Sequence, residues 1–221
     1  KTILTTIFVF LTGQSLHAAQ PKNWQLGYQE SVTSIMDDLV FMHDYILLPI
    51  ITAISVFVLF LILYGVYKFR ASKNPNPSKT THNTTLEILW TVIPFVILIA
   101  MAWPAAKTLI AMEDTSEADV TILVTGSQWK WHYKYQDNPD VEFYSLMATQ
   151  QEQINNKFTK GQNYLLEVDR PLVIPTGKKV RFLITSDDVI HSWWVPDFAV
   201  KKDANPGFIN EAWTNVNEPG I

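Results

Sequence analysis

His191 lies in an apolar, strand-like run, Val189-Ile190-His191-Ser192-Trp193-Trp194-Val195-Pro196, directly after the paired carboxylates Asp187 and Asp188. An imidazole in such a place is either a core residue with a hydrogen-bond partner or a metal ligand. For a solitary histidine the packed-core reading is the commoner one. The chain has no cysteine, so disulfides are excluded, and so is a complete thiolate copper site within these 221 residues. Three other places could do chemistry. Glu87 stands at the head of an apolar run, where Thr84-x-x-Glu87 has the spacing of a capping box, with Glu87 at the third helical position. An ionisable group at a membrane boundary is also a functional candidate. Trp129, Trp131, Tyr133 and Tyr135 alternate with Lys130, His132 and Lys134. Such a stripe usually fills a core, and Trp129, at the strand's start near Gly126, is the member placed to be exposed. Asp169, Asp187 and Asp188 are individually ordinary solvated carboxylates, but as a cluster they would steer a basic partner.

The elements that must position these residues fall into two classes. Residues 1–19 have a basic start, an apolar run from Ile3 to Leu11 and small residues at Ala18 and Ala19, the pattern of a bacterial secretory signal. Residues 20–45 form an N-terminal segment in which Ile35, Leu39 and Met42 are spaced for one helix face. Residues 46–111 read as a transmembrane hairpin, with spans at 46–67 and 86–106 and a loop at 68–85. Pro94 and Pro104 kink the second span without stopping it. Lys68, Arg70, Lys73 and Lys79 lie in the loop without an acid, whereas Glu30, Asp37, Asp38 and Asp44 precede the first span. By the positive-inside rule the loop is cytoplasmic and both flanks are periplasmic.

From residue 112 to 221 the pattern turns to period two. Strands are expected at 120–124, 129–135, 164–168, 172–174, 179–185, 190–195 and 208–216, and a polar loop at 148–161. Short strands at this spacing, divided by Pro and Gly turns, predict a β-sandwich or Greek-key barrel. The fold class is therefore a two-helix transmembrane hairpin followed by an all-β Greek-key domain outside the cytoplasm. A net charge of −4 argues against nucleic acid and suits a basic partner.

Four motifs, in order, carry a family resemblance. They are Glu87-Ile88-Leu89-Trp90-Thr91-Val92-Ile93-Pro94, Gly126-Ser127-Gln128-Trp129-Lys130-Trp131, Leu165-Leu166-Glu167-Val168-Asp169, and Asp187-Asp188-Val189-Ile190-His191-Ser192 with its continuation through Lys201, Asp203, Ala204, Pro206 and Gly207. Together they resemble subunit II of the bacterial, CuA-containing haem–copper cytochrome c oxidases, whose exported domain is cupredoxin-like. The family usually has histidine where Ser127 stands. The resemblance implies that His191 is one ligand of the dinuclear copper centre CuA. The remaining ligands would lie in a C-x-E-x-C-x3-H-x2-M loop expected beyond Ile221. It implies that Trp129 receives the electron from cytochrome c, that Asp169, Asp187 and Asp188 dock that donor, and that Glu87 admits protons. It also implies that Asp203 faces subunit I, which holds the haem and reduces oxygen with proton pumping. Other oxidase subunits, the lipid bilayer and the bacterial inner membrane complete the expected setting. Two alternatives stand beside it: a copper-free quinol oxidase subunit II, and a membrane-anchored copper-binding or delivery module.

Overall fold

The computed structural model describes residues 21–161 and 163–220; the expected signal segment at 1–19 lies outside the described residues. Helix α1 (Ser34–Phe41) starts at Thr33, whose Oγ1 accepts the Met36 amide at 3.1 Å. It runs through a π-helical stretch, Met42–Leu47, into α2 (Leu48–Lys68). Pro49 sits in the first turn of α2 and has no N–H to give to the carbonyl four residues back. The chain widens there, and the Leu48 amide reaches His43 O, five residues back.

The first helix is therefore continuous over 35 residues, where the sequence suggested an amphipathic segment and a separate span at 46–67. Helix α3 (Thr84–Glu113, 30 residues) likewise outruns the expected 86–106. At 1.5 Å per residue these rods are about 52 and 45 Å long, against about 30 Å of hydrocarbon. Each therefore has turns to spare beyond the bilayer, and those turns carry the β domain. The cap of α3 also differs from expectation by one residue. Asn83, not Thr84, is the N-cap: its Oδ1 accepts Leu86 N at 3.2 Å, and its own N–H donates to Glu87 Oε1 at 3.2 Å. Asn caps at least as well as Thr, so the reciprocal bonds survive with Glu87 shifted along by one.

Seven strands follow: β1 (Val120–Ser127), β2 (Lys130–Tyr135), β3 (Glu142–Ser145), β4 (Val180–Ser186), β5 (His191–Val195), β6 (Val200–Ala204) and β7 (Asn210–Thr214). One sheet has the order β3-β2-β1-β4-β7, with β1 and β4 parallel and the other neighbours antiparallel; β5 and β6 form a second, antiparallel sheet. Inward residues alternate along β4 (Val180, Phe182, Ile184) and pack with Ile122 and Val124 of β1 against Trp193 of β5. The Phe182 and Trp193 rings lie 4.5 Å apart. A two-helix apolar hairpin followed by an all-β domain is the expected class.

Two expected strands are absent. Residues 164–168 form turns, with Leu165 at φ 64° and Leu166 N bonded to Asn163 O; Val168 makes only an isolated bridge to Met147. Leu172–Ile174 packs on the core without a ladder, because Pro171 and Pro175 bracket it and neither can donate to a neighbouring strand. The 148–161 loop holds a one-turn helix, Gln151–Ile154. Strands β3 and β6 were not anticipated.

The β domain is joined to both helices. Trp213 Nε1 donates to Ala111 O at 2.9 Å, supplying one of the donors that a helix end lacks. Lys202 Nζ pairs with Glu113 at 2.6 Å, and Thr115 Oγ1 donates to Glu211 at 2.6 Å. At the other helix, Thr33 bridges to Val216 and Asn217 N donates to Val32 O at 3.0 Å.

Candidate functional site

His191 is the first residue of β5, and three elements hold its ring. A Cβ placed on Gly126 of β1 would stand 2.9–3.1 Å from the His191 Cβ, Cγ and Cδ2 atoms, so this stretch of β1 must be glycine for the imidazole to lie against it. Gly126 pairs with Trp131 of β2, and the Trp131 ring meets His191 edge to face at 6.0 Å. The third element is the turn that ends β4. There Ser186 Oγ donates to Val189 O at 2.5 Å and receives Asp188 N at 3.3 Å, which aims the Asp188 side chain back at the turn's own end.

Asp188 is the hub. Its Oδ1 accepts His191 Nε2 at 2.7 Å and Val189 N at 2.6 Å, and its Oδ2 accepts Gln128 N from the β1–β2 turn at 2.8 Å. The hydrogen bond from His191, and then those from the Val189 and Gln128 amides, hold its carboxyl well below the usual carboxylate range. With Nε2–H donated to a carboxylate, Nδ1 keeps its lone pair for coordination. A ligating histidine is commonly oriented by a carboxylate in this way. The imidazole side chain is 15% exposed. One ring nitrogen fits a soft or borderline metal. Among the described residues no group of three or more His, Cys, Asp and Glu could hold an ion, so the residues present fit a single copper ligand rather than a whole site.

Trp129 occupies the β1–β2 turn, 85% exposed, after a cis Gln128–Trp129 peptide. Its stripe partners turn inward: Tyr133 is buried and accepts Trp193 Nε1 at 3.2 Å, and Tyr135 donates to Val173 O at 2.5 Å. Trp129 and His191 line one open cleft of about 330 Å³ with Ser127, Trp131, Met147 and Glu167. Ser127 Oγ donates to Asp187 Oδ2 at 3.4 Å, so the two are joined by a long contact.

The other expected residues stand apart from this cluster. Asp169 is exposed and accepts Leu146 N at 2.7 Å just past β3. Asp203 is exposed on β6, paired with Ser192, and its carbonyl accepts Asn210 Nδ2 at 2.7 Å. Glu87 lies in the first turn of α3, about 39 Å of helix rise from the Glu113 end that meets the β domain. Thr84, Glu87 and Thr91 line a shallow groove there. Two contributions were not anticipated: the wall at Gly126 and the bond from His191 to Asp188. The three-residue spacing of Asp188 and His191 was a usable signal for the second. Nothing in the linear chain signals the first, since it arises where β1 and β5 meet.

Residues 21–108 match the family described as cytochrome C oxidase subunit II, transmembrane domain, and residues 120–221 match cytochrome C oxidase subunit II, periplasmic domain. A probable cytochrome c oxidase subunit 2 of Rickettsia bellii is 44% identical over 221 residues, covering 100% of this chain and 80% of that protein. Cytochrome c oxidase subunit 2 of Cereibacter sphaeroides is 37% identical over 216 residues, 91% of this chain and 70% of that protein. The solved periplasmic domain of subunit II of cytochrome oxidase from Bradyrhizobium japonicum is 42% identical, with 48% of this chain and 70% of that one covered, at a TM-score of 0.41. Hairpin and β domain each match their own part of one family, relatives align along all 221 residues, and the chain accordingly belongs to the family of cytochrome c oxidase subunit II, as a membrane-bound component of an oxidoreductase complex with a periplasmic domain.

Proposed function

We propose that this chain is where electrons from cytochrome c enter the oxidase, with Trp129 as the receiving surface group and His191 Nδ1 as a copper ligand. The observation that carries this reading is the Asp188–His191 bond, which orients the imidazole, fixes its tautomer and leaves one nitrogen free beside the Trp129 cleft. When bound, the dinuclear copper centre supplies a one-electron store between the donor and the haem of subunit I. Its thiolates must come from a segment outside these residues, which hold no cysteine.

The chain's own residues do the remaining work. Gly126 and Trp131 confine the ring, Asp188 holds its Nε2 proton, and the exposed indole of Trp129 offers an edge to the donor. Asp187 and Asp169 supply exposed negative charge for a basic donor, and Asp203 lies on the β6 surface assigned to subunit I. At the far end of α3, Glu87 both caps the helix and takes protons inward. The acid-free loop after Lys68 faces the cytoplasm of a bacterial inner membrane, as a two-span chain. A cysteine at Ser78 should therefore resist a membrane-impermeant thiol reagent in intact cells, and labelling there would invert the topology. A copper-free quinol-oxidase role gives the Gly126–His191–Asp188 clamp nothing to hold.

The deciding experiment uses the full-length gene product. Copper loading should yield the purple mixed-valence absorption of a thiolate-bridged pair, and His191→Asn should abolish or distort it. A spectrum unchanged in His191→Asn removes the assignment.

A further inference from the structure

The loop that follows α2 holds cations which the proposed electron and proton roles do not use. Lys68, Arg70 and Lys73 sit among Tyr64, Tyr67 and Phe69. Lys68 Nζ lies 5.0 Å from the Tyr64 ring and donates to its hydroxyl at 2.5 Å; Arg70 lies 5.1 Å from the Tyr67 ring. A turn closed by Lys73 N and Asn74 N on Arg70 O folds the chain back. That return puts Lys73 Nζ 4.3 Å from the Tyr67 ring and 3.1 Å from its hydroxyl.

Tyrosine hydroxyls and aromatic rings hold these cations in place without neutralising them. Among the described residues, no carboxylate forms an ion pair with any of the three, and no Asp or Glu occurs between Asp44 and Glu87. The arrangement therefore presents fixed, uncompensated positive charge at the depth where tyrosines sit, which is the level of lipid headgroups. Their long stems already run along the aromatic belt, so little side-chain freedom remains to be lost on binding an anion.

We infer that Lys68, Arg70 and Lys73, set on Tyr64 and Tyr67, form a binding site for the phosphate of an anionic phospholipid at the hairpin's loop end. This rests on the reading that α2 and α3 span a bilayer, though not on which side the loop faces. A zwitterionic headgroup carries its own ammonium, which is repelled by these three cations. A phosphatidylglycerol headgroup has a phosphate with no ammonium to oppose these cations, and so carries net negative charge to them.

The test is electron paramagnetic resonance of the full-length protein reconstituted in phosphatidylcholine vesicles containing one third phosphatidylglycerol, with trace acyl-chain spin-labelled phosphatidylglycerol or phosphatidylcholine. A motionally restricted lipid component with both labels is expected, since both contact the spans, and its absence with both would instead overturn the bilayer-spanning reading. The phosphatidylglycerol label should be favoured about fivefold, the effect of one well-placed cation. The triple variant Lys68→Gln, Arg70→Gln, Lys73→Gln should reduce the preference to near unity. Tyr64→Leu with Tyr67→Leu, which keeps the charges, should lower it by loosening them. Millimolar inorganic phosphate should leave the preference in place; its loss would mean that the site takes free phosphate rather than a lipid. Equal restriction of the two labels in the wild type, or a preference that survives the triple variant, overturns the proposal.

Discussion

Gly126→Ala puts the tightest contact of the site under direct test. Gly126 does not occupy the left-handed region, so alanine can adopt its backbone conformation. Away from the imidazole, the substitution would be expected to stabilise the strand by about 0.4–1 kcal/mol through the unfolded chain. Here the new methyl would meet His191 at 2.9 Å, and ordinary contact begins at 3.4 Å, so the ring must retreat by about half an ångström. It cannot do so freely. The atoms met are Cβ, Cγ and Cδ2, close to the β5 backbone, and Nε2 is tied to Asp188 at 2.7 Å. Overpacking of this kind costs about 1–3 kcal/mol, so the repulsion wins, with a net loss of about 1–2 kcal/mol. Thermal unfolding in mild detergent, followed by near-ultraviolet circular dichroism, measures the loss. Nitrogen NMR of the His191 ring reports whether its bond to Asp188 survives. The decisive arm repeats the change on His191→Ala. With the ring gone only the 3.1 Å contact to the residue-191 Cβ remains, so Gly126→Ala should then cost much less than it does beside the imidazole. The same effect with and without the imidazole, or a Gly126→Ala protein more stable than wild type, refutes the reasoning.

Trp129→Phe should slow electron transfer at saturating reduced cytochrome c in stopped-flow mixing, and an unchanged saturating rate would leave Trp129 without that role. Asp187→Asn should slow only the bimolecular phase and flatten its salt dependence. Asp188→Asn is not a clean docking variant, because that carboxylate holds His191. Glu87→Gln keeps an oxygen to accept the Asn83 amide, so assembly should persist while oxygen consumption falls; wild-type turnover would reduce Glu87 to a cap. Asp119 accepts the Lys179 amide at 2.9 Å and the Lys178 ammonium at 3.1 Å, and these bonds, the amide first, hold its carboxyl below the usual range. Its contribution is therefore complete above the unfolded value near 3.9 and lost as pH falls through the lower folded value. The stability gap between wild type and Asp119→Asn should be constant from pH 5 to 7 and shrink below about pH 4; a gap that stays constant there would contradict it.

The hairpin was legible because lipid demands long uninterrupted apolar runs, and Ile46 to Tyr67 and Leu86 to Ala106 supply two of them. The helix ends were not legible. Hydropathy reports where lipid stops, not where hydrogen bonding stops, and α1 continues in water as an amphipathic rod. Within the β domain the alternating runs of β1, β2 and β4 are plain in the chain. Leu165 and Leu172 were misread because apolar residues exposed on a turn, or held between prolines, look like strand in the linear chain. The place of His191 beside a carboxylate was legible through its motif and its neighbouring acids. Its surroundings were not, since β1 pairs in parallel with β4, whose partners lie 60 residues away in sequence. That pairing carries the β4–β5 turn to β1, where β5 sets the ring against Gly126.

The double attachment of the β domain has a mechanical consequence. A sheet tethered by one peptide linker would swivel like a flag on its pole. This one is pinned to the end of α3 through Trp213 and Lys202 and to the start of α1 through Thr33 and Val216. Lipids that tilt the hairpin, as thin or thick bilayers do, must then turn the whole sheet with it. The edge carrying His191 would lean toward or away from the membrane by the angle that the lipid imposes.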